Sequence, residues 1–110
     1  MQSTDTIEFL EARAAEVSAT LRLLANEKRL LVLCRLALEG EMSVTPLGEA
    51  VRLSQSALSQ HLAKLRADGL VATRRQSQTL FYRIADERIG RLLTALYDIY
   101  CASPQQELNP

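Results

Sequence analysis

Residues 43–69, SVTPLGEAVRLSQSALSQHLAKLRADG, restrict the fold more than any other stretch, because two short helical segments follow each other with only a three-residue break between them. Thr45-Pro46 marks the start of the first: Thr can cap, and Pro suits a first turn where its missing N–H has no partner anyway. Arg52-Leu53-Ser54 interrupts the chain and restarts it, with Ser54 able to accept from the free N–H groups of the second segment. There Ala57, Leu58, Leu62 and Leu65 recur at helical spacing and face inward. Outward are left Gln55, Ser56, Ser59, Gln60, His61, Lys64 and Arg66: short donors and acceptors near the helix start, cations farther along. Such a face has no core duty. Its chemistry is that of a helix entering the major groove of DNA, so the pair reads as a helix-turn-helix.

Charge supports this only when resolved along the chain. The 110 residues carry 13 Lys and Arg against 13 Asp and Glu, and a neutral total argues against a nucleic-acid protein. Residues 1–51, however, hold five cations and eight anions, a net of −3, whereas residues 52–83 hold six cations and one anion, a net of +5. Residues 84–110 return to −2 with two cations and four anions. One basic surface is thereby available for phosphates while the acidic remainder faces elsewhere.

Ahead of this motif, Ile7, Leu10, Ala14, Val17, Leu21 and Leu24 alternate three-four spacing, with Glu8, Glu11, Arg13, Glu16 and Arg22 between them. The narrow apolar seam has two readings, a helix covering its own core or a dimerisation helix. Asn26 is placed to cap a second helix, EKRLLVLCRLALEG, ended by Gly40. Leu30, Leu31, Val32, Leu33, Leu36 and Leu38 cover most of its circumference, the pattern of a central core helix. After Asp68-Gly69, residues 70–75 and 79–85 are rich in Val, Thr, Phe, Tyr and Ile and predict two strands joined by Gln76-Ser77-Gln78. A hairpin directly after a reading helix is a wing. Its tip, Arg74, Arg75, Gln76, Ser77 and Gln78, offers cations and polar donors to phosphate or the minor groove; alone, it would read as a solvated turn.

Asp86 caps the last helix, whose apolar face runs through Ile89, Leu92, Leu93, Leu96, Ile99 and Tyr100. The expectation is a single domain over residues 1–102, followed by a polar, proline-broken tail at 103–110 that remains disordered. The acidic start lacks a signal-peptide pattern and no run approaches the roughly 20 apolar residues of a membrane span, which predicts a cytoplasmic protein. No paired carboxylates, nucleophile-base set or glycine-rich phosphate loop points to an enzyme or a bound cofactor.

The order helix, helix, helix-turn-helix, hairpin, helix, carrying LANEKRLLVL, LSQSALSQHLAKLRADGLV and LFYRI, resembles the ArsR family of small winged-helix repressors over about residues 15–101. The resemblance implies a mainly α fold of order ααααββα with a small β-hairpin wing. It also implies a homodimer built on the first and last helices, reading an inverted repeat in double-stranded DNA. Metal sensing is common in the family, but one of its sites, a Cys-x-Cys pair before the reader, falls here on Ser43 and Thr45. Another falls on Asp86, Arg88, Ile99 and Ala102, and Arg and Ile offer no zinc ligand, so no metal site is expected. His61 lies on the reading helix, where contact with DNA or a structural hydrogen bond is the expected role.

Cys34 and Cys101 are the only cysteines. Their placement, late in the second helix and at the end of the last, resembles the thiol-switch branch of the family, sensors of persulfide and polysulfide similar to the biofilm growth-associated repressors. That resemblance implies a Cys34–Cys101 disulfide or longer polysulfide bridge that releases DNA. The local chemistry leaves the matter open. Leu30, Leu31, Ala37 and Leu38 surround Cys34 with apolar groups that disfavour a thiolate, and Cys101 has Asp98 three residues back at a helix C-terminus. Inert thiols, a general peroxide-type redox switch and a soft-metal site lacking a third ligand stay as alternatives, as does a winged-helix module that binds protein instead of DNA.

Overall fold

The computed structural model describes residues 2–102, and side chains from residue 6 to 101. The expected tail at 103–110 lies outside the described residues. Five helices and three strands occur in the order α1 (Gln2–Leu24), α2 (Glu27–Glu39), β1 (Met42–Ser43), α3 (Val44–Val51), α4 (Gln55–Ala67), β2 (Val71–Gln76), β3 (Thr79–Ile84) and α5 (Glu87–Tyr97). A π-helical turn, Asp98–Ala102, ends the described chain. Two compact units are present, one up to Leu30 and one from Leu31 onward.

In the first unit α1 is a continuous helix whose seam is mostly uncovered: Ile7, Leu10, Val17 and Leu21 are between 49% and 65% exposed, while Leu24 is buried. Asn26 caps α2 as expected, its Oδ1 accepting from the Arg29 N–H at 3.0 Å, and the Arg29 guanidinium donates to the Leu23 carbonyl at 3.0 Å.

The second unit holds the main core. Val32, Leu33, Leu36, Leu47, Leu58, Leu62, Leu65 and Leu93 are fully buried, so α2, α3, α4 and α5 each contribute. The central-core reading of α2 needs correction: one face is buried, but Leu31 and Leu38 on the other remain 43% and 44% exposed. Those two stand seven residues apart, with Cys34 between them, on one stripe of the helix.

The helix-turn-helix forms close to its expected bounds. Helix α3 begins at Val44 with Ser43 in the capping position, two residues earlier than Thr45-Pro46 implied, and no side chain accepts a cap hydrogen bond there. Pro46 still lies in the first turn, where no intrahelical N–H is lost. Ser54 caps α4, accepting from the Ala57 N–H at 3.2 Å. At its other end Gly69 has φ +81, and the Leu70 N–H reaches the Leu65 carbonyl at 2.9 Å while the Gly69 N–H reaches that of Arg66 at 3.1 Å. This paired return is the Schellman stop, and the left-handed residue it needs is glycine. Between the helices Gly48 lets α3 approach the turn: an added Cβ would stand 3.2 Å from the Leu53 carbonyl oxygen.

The sheet has one strand more than the hairpin. β2 and β3 pair antiparallel from Val71↔Ile84 to Gln76↔Thr79, leaving a two-residue turn at Ser77-Gln78. The short β1 adds to the free edge of β3 through Met42↔Tyr82 and Ser43↔Phe81, giving the order β1-β3-β2. Two residues are too few to produce a periodic signal, so only the tertiary fold reveals this strand.

Candidate nucleic-acid interface and cysteine pair

Helix α4 presents the polar face anticipated from its spacing. Gln55, Ser56, Ser59, Gln60, Lys64 and Arg66 are exposed, and His61 is half-buried at the edge of the face. Leu58, Leu62 and Leu65 hold the opposite face in the core and Ala57 is half-buried, so the helix is anchored along its length. Lys64 is partly engaged, its Nζ 3.3 Å from an Asp68 carboxylate oxygen one turn on. Such an exposed pair is worth only a few tenths of a kcal/mol, about 0.3–0.5, and exchanges readily for phosphate.

The hairpin tip divides into two kinds of residue. Arg75, Ser77 and Gln78 are exposed, and Ser77 takes φ +57 at the turn. Arg74 is held from three sides. Its Nη2 and Nε donate to the two Glu41 carboxylate oxygens at 2.7 and 3.0 Å, its Nη1 donates to Gln76 Oε1 at 2.8 Å, and its guanidinium lies 4.8 Å from the Phe81 ring centroid. The Arg74 hydrogen bond and charge hold the Glu41 carboxyl below its ordinary range, Arg83 adding to the effect. Arg74 and Gln76, both expected at the DNA surface, are thus also the clamp between the wing and the residue before β1. Glu41 itself went unnoticed in the sequence: it stands 33 residues from Arg74, and no local pattern links them.

Asp86 caps α5, accepting from the Arg88 N–H at 2.9 Å, and its carboxylate also takes the Arg88 guanidinium at 2.9 and 3.2 Å. Its polar capacity is spent on that cap. Among the described residues no group of three or more His, Cys, Asp and Glu is placed to hold a metal ion.

Cys34 is half-buried on α2 and Cys101 is exposed in the π-helical turn after α5. Burial pushes the Cys34 thiol up, and the charge of Cys101 pushes it further in the same direction. Sixty-seven residues of sequence separate the two.

Residues 26–73, spanning α2 through the first residues of the wing, match the model of the bacterial regulatory protein arsR family. Over 99 residues the chain is 44% identical to the biofilm growth-associated repressor of Agrobacterium fabrum, covering 90% of this chain and 83% of that one. The chain belongs to the arsR family. Its members are transcriptional regulators, and this one carries the winged helix-turn-helix fold and DNA-binding character of the group. It is also 43% identical over 99 residues to the transcriptional activator HlyU of Vibrio cholerae, with 90% and 91% of the two chains covered. The reduced form of HlyU superposes with a TM-score of 0.78 over 86% of this chain and 98% of that one, at 45% identity. A homodimeric winged helix-turn-helix DNA-binding domain from Mycobacterium bovis, a possible arsR-family regulator, is 31% identical, with a TM-score of 0.69 over 90% and 89% of the chains. In this arsR-family protein no helix among the described residues is long and apolar enough to cross a membrane.

Proposed function

We propose that the protein is a homodimeric transcriptional repressor whose affinity for an inverted-repeat operator is switched by persulfide or polysulfide through Cys34 and Cys101. Gln55, Ser56, Ser59, Gln60 and His61 read base edges in the major groove, and Lys64, Arg74, Arg75, Gln76, Ser77 and Gln78 meet the backbone or minor groove. The observation that carries the switch is the cysteine pair itself: a half-buried thiol on α2 and an exposed one in the π-helical turn after α5. Exposure makes Cys101 the first nucleophile, since the buried partner is poorer in thiolate. The Cys101 thiolate attacks the outer sulfur of R–S–SH, forming Cys101–S–SH and expelling R–S⁻. The Cys34 thiolate then attacks the inner sulfur of that persulfide, forming the Cys34–S–S–Cys101 bridge and releasing HS⁻. Prior transfer of another sulfur to Cys101 gives a trisulfide by the same displacement.

A bridge ties α2, which packs against the reading unit's core, to the end of α5. Tilting the readers of a dimer away from successive grooves needs little energy, because each 1.4 kcal/mol changes affinity tenfold. The name of the Agrobacterium relative supports repression, while that of HlyU allows the opposite sign at a promoter. Intact-mass measurement paired with DNA binding tests the reading. Cys34→Ser and Cys101→Ser should bind operator like the parent and fail to release it on persulfide treatment. Release by either variant would end the two-cysteine mechanism, and loss of two hydrogens under peroxide with equal release would favour a general redox switch.

A further inference from the structure

Between α2, the end of β3 and α5 runs an open cleft of about 550 Å³, within the roughly 300–1,000 Å³ span of small-molecule sites. Its floor is apolar, with Leu36, Ala37 and Ile84, and its charged groups are Arg83, Glu87, Arg91 and Asp98. Ala37 follows Cys34 by about one helical turn and Asp98 precedes Cys101 by about one, so the lining on α2 and on the chain after α5 comes within a turn of each cysteine. Neither Arg83 nor Arg91 forms a salt bridge among the described residues, although Glu87 stands four residues before Arg91. Two cations and two carboxylates line this cleft, a mixed set that suits a ligand bearing two carboxylates and an ammonium better than a simple anion.

We infer that this cleft docks the sulfur donor, a peptide-type low-molecular-weight persulfide whose carboxylates meet Arg83 and Arg91 and whose ammonium meets Glu87, with the sulfur end directed toward Cys101. The inference rests on the sulfur-switch reading and deepens it by naming the donor class. The chemistry is the transfer given above, in which the outer sulfur passes to Cys101 and the peptide thiolate departs. Docking adds local concentration and orientation.

Timed mass spectrometry of bridge formation, with glutathione persulfide and inorganic tetrasulfide as separate donors, tests it. Arg83→Gln/Arg91→Gln should slow the reaction with glutathione persulfide about tenfold or more and leave the tetrasulfide reaction within about twofold of the parent, because the inorganic donor has no carboxylates to dock. S-methylglutathione, which cannot transfer sulfur, should slow only the peptide donor. Equal slowing of both donors, or no slowing of either, overturns the docking cleft while the switch stands. A parent protein that bridges with neither donor overturns the switch and the cleft together. If the double variant instead changes oligomeric state, the cleft is covered by a second copy and the docking proposal fails.

Discussion

Arg52 links the two helices of the reader with φ 60 and ψ 49, a left-handed backbone for a residue with a Cβ, while its N–H closes onto the Gly48 carbonyl. That conformation costs a non-glycine residue about 1–2 kcal/mol, and glycine gives back about 0.5–1 kcal/mol through its larger unfolded-state entropy. Arg52→Gly is therefore expected to stabilise the domain by up to about 1 kcal/mol, a rise of a few degrees in Tm for a chain of this size. Thermal unfolding decides it. A fall in Tm would mean that the arginine side chain makes a compensating interaction. Gly48 is the reverse case, since the carbonyl of Leu53 leaves a side chain there little room.

The wing is set by an element contact more than by its own turn. Glu41 precedes β1, Arg74 belongs to β2, and Phe81 on β3 lies beneath the guanidinium, so one clamp joins all three strands of the sheet. Because the folded-state Glu41 carboxyl titrates below its unfolded value, the clamp's contribution is complete above the ordinary carboxylate range. It is lost only as pH falls through the lower, folded value. A titration of the Glu41 carboxyl followed by NMR should accordingly have its midpoint below that of an unpaired glutamate. Glu41→Gln keeps the shape and removes the charge, returning Arg74 to the wing surface. Operator binding should tighten, and the slope of log K against log salt should steepen by about 0.9 for each released arginine that reaches a phosphate. An unchanged slope would show that Arg74 serves the fold alone.

At the scale of the molecule the decisive feature is apolar surface left uncovered by a single chain. Val17 and Leu21 on α1 are 50% and 49% exposed, and Ile99 and Tyr100 beyond α5 are 63% and 74% exposed. A soluble monomer rarely keeps such faces open, which agrees with the homodimer in the proposed function. Val17→Lys/Leu21→Lys should produce a monomer by sedimentation and weaken operator binding, because two half-sites are no longer held together. Persistence of the dimer would remove α1 from the interface.

The local patterns were decisive wherever the cause lay within a turn or two of the residue. Leu58, Leu62 and Leu65 declared the buried face of the reader, Ser54 its start, Asp68-Gly69 its end, and the alternation around Tyr82 the wing. The start of α3 lies two residues ahead of the Thr45-Pro46 signal, because the strand pairing of Met42-Ser43 with β3 brings the chain to the helix at Val44. What only the tertiary structure decided were relations between distant residues. Glu41 with Arg74 and β1 with β3 each require chain segments 33 or more residues apart to meet. Helical and strand periodicity carries no information about such meetings; they follow from how the buried faces pack. The amino-acid sequence by itself thus specified the exposed polar face of α4, whose chemistry is local, whereas the clamp on the wing and the cleft beside α5 exist only once the helices and strands are assembled.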